Sequence, residues 1–388
     1  MSKHLPQPIE KPRRLQQAWR SLSMRAFLRL LPVAPGSSTL SSSLNSGKKV
    51  RVLYIRHDLK IGDLVMATGI IRAIANSSPN ITLDVLTSGN AAPVLFGNPH
   101  IAKLYSYWRK DWWTHPRLWF ELRRARYDIV VDGRVNHISR HATLPLLFLA
   151  SGCAVRVGVE CEHPRLYTCT VKVPPGLHFV EQAASLVPPF GVPAQGPDFH
   201  PEIFVTDREM ADASEQWKSA SSRSNGEFKL LVNISAAAIE RRWPDERFVE
   251  TLLRVRNHPL HPTIIVISSA RDRESAVQIA DAIGATAVAT ASLRDAIALV
   301  ATCDLLFTPD TGIAHIASAF KKRIVDLLLA QPVAPGPTMR KDAFVPYNAP
   351  GRNVYSPDMA ITSLDTGPVI EAMMEELDLG LAAAGRID

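Results

Sequence analysis

Asp304-Leu305-Leu306-Phe307-Thr308, followed directly by Pro309-Asp310-Thr311-Gly312-Ile313-Ala314-His315, reads as a buried strand, a turn and the start of a helix. The first five residues are an apolar run, after which Ile313, Ile316, Ala317 and Phe320 recur at helical spacing. A helix that opens at the carboxyl end of a parallel strand presents unbonded backbone N–H groups and the positive end of its dipole, which suits a phosphate. Thr311 adds a hydroxyl, Gly312 lets a ligand approach the backbone, and His315 lies one turn further on, on the side of Thr311. A purely structural reading stands beside this one, with Asp310 as an N-cap and Gly312 as a turn residue.

The same alternation extends in both directions. Val50-Arg51-Val52-Leu53-Tyr54-Ile55 reads as a buried strand, followed by a helix from about Asp63 with Leu64, Ala67, Ile70, Ile71 and Ile74 on one face. Strand-like runs follow at 81–86, 128–132 and 155–159, and a second series at 228–234, 263–267, 304–307 and 324–328, with helical stretches around 248–254, 275–283 and 293–301 between them. This is an α/β pattern of two doubly wound, Rossmann-like domains facing across a cleft, with the carboxyl ends of both sets of strands lining it. Expected boundaries are a leader and linker over 1–49, one domain over 50–200 and another over 201–388. The proline-rich stretch Val187 to Pro201 is the hinge, and the tail from about residue 365 is expected to pack back on the first domain.

Two further loops fall at strand ends. Arg56-His57-Asp58-Leu59-Lys60-Ile61-Gly62-Asp63 places Asp63 at the start of a helix, where its carboxylate either accepts a proton from a hydroxyl or caps the helix. Arg56 and Lys60 can hold an anionic group. In the second half, Ser235 to Pro244 offers Arg241 and Arg242 for bidentate pairing with a diphosphate, against the alternative of a surface arginine pair beside a packed Trp243. Asp272 and Glu274, after the next strand, stand where a ribose diol is held. Between Tyr105 and Arg126, Trp108, Trp112, Trp113 and Trp119 alternate with six Lys and Arg residues, and Lys103 stands just before them. Such a surface suits an anionic glycolipid, and equally a helix whose tryptophans pack inward.

Composition narrows the classes. With 388 residues, 46% apolar and 21% charged, the chain can bury two cores. The cysteines Cys153, Cys161, Cys169 and Cys303 form no CxxC pair and no zinc spacing, so no metal site is expected. GxGxxG, P-loop, GxSxG and HExxH motifs are absent, which removes the usual support for dehydrogenases, NTPases, serine hydrolases and zinc peptidases. No apolar run reaches membrane-spanning length, and Arg25 and Arg29 break the first apolar stretch, so a cytoplasmic location is expected. The formal charge of +7 is concentrated: residues 1–60 hold twelve Lys/Arg against Glu10 and Asp58. This is a basic tail for an anionic surface rather than a basic fold, and no nucleic-acid partner is expected. Within it, Arg13 to Leu31 can form an interfacial helix on anionic lipid; the alternative is a helix docked on its own protein or a disordered segment.

Taken in order, Ile55-Arg56 through Ile61-Gly62-Asp63, Arg242-Trp243-Pro244 with Phe248, Leu293-Arg294-Asp295, and Asp310-Thr311-Gly312 with His315 and Ala319 resemble glycosyltransferase family 9, the ADP-heptose:lipopolysaccharide heptosyltransferases. The resemblance spans about residues 50–330. It implies a GT-B fold and an inverting, metal-independent transfer without a cofactor, from a nucleotide-diphospho-sugar such as ADP-heptose to a hydroxyl of lipopolysaccharide core, at the cytoplasmic face of the inner membrane. It also implies Asp63 as the general base and Arg241, Thr311 and the Gly312 amide around the diphosphate, with Arg242 the donor-side candidate beside Arg241. Asp310 would contact the donor sugar, His315 would support the site, and Asp272 or Glu274 would hold the ribose. The expected acceptor side is Arg56, Lys60, Gly62, Trp112 and Trp113. The sequence departs from the family at Asn233-Ile234-Ser235-Ala236-Ala237, where a His-Pro-Gly-like start of the donor loop is usual.

Overall fold

A computed structural model describes residues 28–31, 44, 47–57, 60–108, 115–135, 143–163, 165–221, 227–330 and 342–383. Its described residues form two parallel six-stranded sheets. The first has strands β1 (Val50–Arg56), β2 (Ile81–Ser88), β3 (Lys103–Tyr107), β4 (Ile129–Asp132), β5 (Val155–Val159) and β6 (Cys169–Val171), in the order β3-β2-β1-β4-β5-β6. The second has β7 (Lys229–Asn233), β8 (Thr263–Ser268), β9 (Thr286–Ala289), β10 (Leu305–Pro309), β11 (Arg323–Leu328) and β12 (Gly351–Tyr355), in the order β12-β11-β10-β7-β8-β9. Both are the same doubly wound order. The chain reverses direction between β1 and β4 in one sheet and between β7 and β10 in the other, and a crevice opens at each switch point.

The helices of the first half are α1 (Ile61–Met66), α2 (Thr68–Ala75), α3 (His115–Ala125), α4 (Thr143–Ser151) and α5 (Phe179–Ala184). Those of the second are α6 (Asp207–Ser221), α7 (Asp245–Arg256), α8 (Arg273–Ile283), α9 (Leu293–Thr302), α10 (Gly312–Ala319) and α11 (Thr366–Ala383). One apolar core fills the first domain and continues beneath α6, α9 and α10 through Ile265, Ile297 and Ile316. A second core, with Trp243, Phe248 and Phe307 at its centre, lies on the other face of the second sheet. Ser292 starts α9 with a capping box: its hydroxyl accepts from the Asp295 N–H and the Asp295 carboxylate accepts from the Ser292 N–H.

Two expectations change. Among the described residues the tail packs on its own domain, not on the first: α11 lies on α7, β11 and β12, because Val369, Met373 and Leu377 complete the second core. The segment that reaches back precedes β12, where Ala343 O accepts from Phe179 N at 2.8 Å and Tyr347 packs on His178 with ring centroids 4.8 Å apart. The proline-rich hinge is pinned at its far end to the first domain, since Thr68 Oγ1 accepts from Glu202 N at 2.8 Å and Arg72 donates to Asp198 O at 2.9 Å. The crossing therefore falls between Glu202 and α6. Most of Arg13 to Leu31 lies outside the described residues; at its end Leu28 and Leu31 are buried in the first core. Among the described residues no helix is long and apolar enough to cross a membrane.

Candidate active site

The two switch points face each other, and the closest approach is α1 against α10. Two glycines permit it. A Cβ on Gly62 would stand 2.4 Å from His315 Cδ2, and one on Gly312 would stand 3.0 Å from Ile61 Cβ. Gly62 is therefore a packing position between the domains, where the sequence placed it on the acceptor side.

On the first-domain wall Asp63 lies in the first turn of α1, whose N-cap is Lys60 without a side-chain bond, so Asp63 is not a cap. Arg56, at the end of β1, is almost wholly buried. Its Nη2 donates to Asp63 Oδ2 at 2.9 Å, its Nη1 to Gly133 O at 2.7 Å, and its guanidinium lies 5.1 Å from the centroid of the Phe179 ring. Arg56 thus orients Asp63 from beneath and does not reach outward to an acceptor, a correction to its expected role. Lys60, 70% exposed, approaches Asp63 Oδ2 at 3.9 Å. Trp112 and Trp113 lie outside the described residues.

On the facing wall the N-cap of α10 is Thr311, whose hydroxyl accepts from Ile313 N at 3.3 Å; Asp310 does not cap. Asp310 instead pairs with Arg241 at 3.1 Å, with Arg241 still 45% exposed. Burial pushes the Asp310 carboxyl up, and Arg241 draws it back. Asn233, which closes β7, donates to Thr308 Oγ1 at 2.9 Å and Thr311 Oγ1 at 3.4 Å, so it sets the orientation of the hydroxyls at the helix start. Asn233 escaped selection because a strand-terminal amide carries no signal until its neighbour across the sheet is known. Asp326 escaped for the same reason: it is buried on β11 in register with Thr308, and burial together with Asp310 pushes it well up.

A cavity of about 580 Å³ opens beside this wall. It is lined by Asn233, Ser235 to Ala237, Ile267 to Arg271, Thr290 to Leu293, Ala296 and Thr311 to Ile313, with Ile61 contributed by the first domain. Its size and its apolar floor with a few polar groups suit a nucleotide. Of the expected donor residues only Thr311 and Gly312 line it; Arg241, Arg242, Asp272, Glu274, Asp310 and His315 do not. Asp272 is buried at the start of α8, where its carboxylate accepts from Ser235 Oγ (2.7 Å), Ser269 Oγ (2.9 Å), Arg242 Nη1 (2.9 Å) and Arg271 Nε (3.1 Å). Burial opposes its charge, yet those bonds hold it at about 2. Glu274 is exposed on α8 and accepts from Gln278 at 3.4 Å. Arg242 bridges Asp272, Asp245 and Ser275, and so is turned away from Asp310, the partner of Arg241. The strand-end carboxylate is consumed in holding its own loops together, and among the described residues the only charged side chain lining the cavity is Arg271.

His315 is buried between the domains, and its Nδ1 has no hydrogen-bond partner among the described residues. Burial, with His178 and Arg241 nearby, pushes the imidazole down to about 4. It is neutral at pH 7 in both the folded and the unfolded chain. As pH falls below the unfolded value of about 6.5, only the unfolded state takes up this proton, so stability falls by roughly 3 kcal/mol by about pH 4. Urea unfolding of the wild type and His315→Asn across this window is expected to show the gap between them shrinking as pH falls. A constant gap would mean that the imidazole is not held neutral.

These features define a two-domain α/β protein with a carboxylate on one wall of its cleft and the start of a helix on the other. The family model for glycosyltransferase family 9 (heptosyltransferase) matches residues 116–338, more than half of the chain, and the chain belongs to that family. It is 21% identical over 286 residues to lipopolysaccharide heptosyltransferase 3 of Escherichia coli (strain K12), covering 69% of this chain and 79% of that one. Two solved structures share the fold: the family 9 glycosyl transferase of Veillonella parvula DSM 2008 and the E. coli ADP-heptose lps heptosyltransferase II. The first has a TM-score of 0.69 at 17% identity, covering 86% of this chain and 98% of that one. The second has 0.64 at 20% identity, covering 87% and 100%. The fold is GT-B, as the resemblance implied, and the protein is a glycosyltransferase of the heptosyltransferase family.

Proposed function

We propose that the protein transfers heptose from ADP-heptose, with inversion, to a hydroxyl of a lipopolysaccharide-type glycolipid acceptor at the cytoplasmic face of the inner membrane. The observation that carries this reading is the placement of Asp63 and of Thr311, Gly312 and Arg241 on opposite walls of one cleft. Inversion needs a base behind the acceptor oxygen and charge stabilisation at the leaving group, one on each side of the anomeric carbon. Asp63 accepts the proton of the acceptor hydroxyl as the new C–O bond forms. The anomeric C–O bond to the diphosphate breaks, and the charge that develops there meets Arg241, the Thr311 hydroxyl and the backbone N–H groups at the start of α10. In this scheme a helix dipole and an arginine do the work that a divalent cation would do. The adenine donor rests on the likeness to the E. coli ADP-heptose lps heptosyltransferase II, and the cavity's size supports a nucleotide there.

Calorimetric titration with ADP-heptose, ADP, UDP and GDP, with EDTA and then with Mg²⁺, tests donor and metal together. Binding confined to the adenine series, unchanged by the chelator and weakened about tenfold by Thr311→Ala, is the expected result. Preference for another nucleotide would leave the fold and family in place and discard ADP-heptose.

A further inference from the structure

Helix α3 presents a surface that the transfer reaction does not explain. Its inward side is Leu122, fully buried, flanked by half-buried Leu118 and Ala125. At 100° per residue, the outward arc runs Trp119, Arg123, Pro116, Phe120, Arg124, Arg117. All six are exposed: Phe120 at 66%, Trp119 at 37%, and the side chain of Arg117 at 87%. The arc contains no acid. Glu121, the one carboxylate on the helix, sits on its flank, bound to Lys103 at 3.0 Å and Arg117 at 3.2 Å. A helix that simply faces water has mixed charges on its outer side; here two aromatic rings are set among three arginines.

We propose that the outward face of α3 docks on an anionic lipid bilayer. The two kinds of group need different things from a partner, and a bilayer supplies both. The Phe120 and Trp119 rings gain by leaving water at the depth of the headgroups and upper acyl chains, and the guanidinium groups stay level with acidic headgroups. The helix is also joined to the cleft. His115, its first residue, stacks on Tyr107 with centroids 4.5 Å apart, and Tyr107 meets His57, the residue after Arg56, edge-on at 6.5 Å. A membrane on α3 therefore borders the wall that carries Asp63. The surface stands independently of the donor and acceptor assigned above, because vesicle binding is read without turnover.

The test is flotation of the full chain with phosphatidylcholine vesicles, with and without phosphatidylglycerol. The wild type is expected to bind acidic vesicles and to bind neutral ones roughly tenfold less. Trp119→Ser/Phe120→Ser and, separately, Arg117→Ser/Arg124→Ser should each lower binding to acidic vesicles by about tenfold, at unchanged Tm and unchanged affinity for the donor nucleotide. A Phe120→Cys variant carrying an environment-sensitive fluorophore should shift to the blue only with acidic vesicles. Failure of the wild type to float, wild-type binding by both double variants, or a Phe120→Cys probe that reports only self-association of the protein would overturn the proposal.

Discussion

Asp63→Asn is expected to lower kcat by a factor of about 10² to 10⁴, the range over which a positioned general base acts, with the affinity for the donor nucleotide unchanged. Asparagine keeps the size of the side chain and leaves an oxygen for Arg56 Nη2, but it cannot take the acceptor proton. A structural effect must be separated, because Asp63 is also the carboxylate partner of an almost fully buried arginine, and removing one member of such a pair costs several kcal/mol when the other has nothing else. Arg56 has something else: the Gly133 carbonyl at 2.7 Å and the face of Phe179. The variant should therefore fold, and Tm measured beside kcat distinguishes a lost base from a loosened loop. Turnover close to wild type at saturating donor and acceptor would show that some other group takes the proton.

The pattern that could be read from the sequence was local. A strand, a turn and a helix in succession are written in neighbouring residues, so the switch-point loops, Asp63 and Asp310 to His315 stood out before any neighbour was known. The short strands β6 and β9 and the edge strands β3 and β12 were not separable, because half-exposed residues at a sheet edge carry little apolar signal. The charged residues were the least legible. Arg56, Arg242 and Asp272 were read as ligand contacts from their place at strand ends, yet each is neutralised by partners from the protein itself. For Asp272 these come from the loops after β7 and β8, residues far apart in sequence. Arg241, one position from Arg242, is directed to Asp310 instead, and no composition rule separates the two.

Trp243 lies between these arginines and the core, and Trp243→Ala is expected to cost about 3 to 5 kcal/mol. The indole is fully buried, makes edge-on contacts with Phe248 at 5.0 Å and Phe307 at 5.9 Å, and donates from Nε1 to Leu364 O at 2.9 Å. Alanine leaves a cavity in the second core and strips a buried carbonyl of that donor, although Arg247 still reaches it. Trp243→Phe, which loses the hydrogen bond but fills most of the space, should cost less. The same region then divides into two functions that can be measured separately. Arg242→Ala should lower stability, because it removes one of the bonds to a buried Asp272, whereas Arg241→Ala should change Tm less, since Arg241 is half-exposed and an ion pair open to solvent on that side is worth about 1 kcal/mol. Arg241→Ala should instead slow transfer by about 10²-fold, the loss of one stabilising contact to the leaving diphosphate. If Arg242→Ala proved the slower enzyme and Arg241→Ala the less stable protein, the assignment of these two arginines would have to be exchanged.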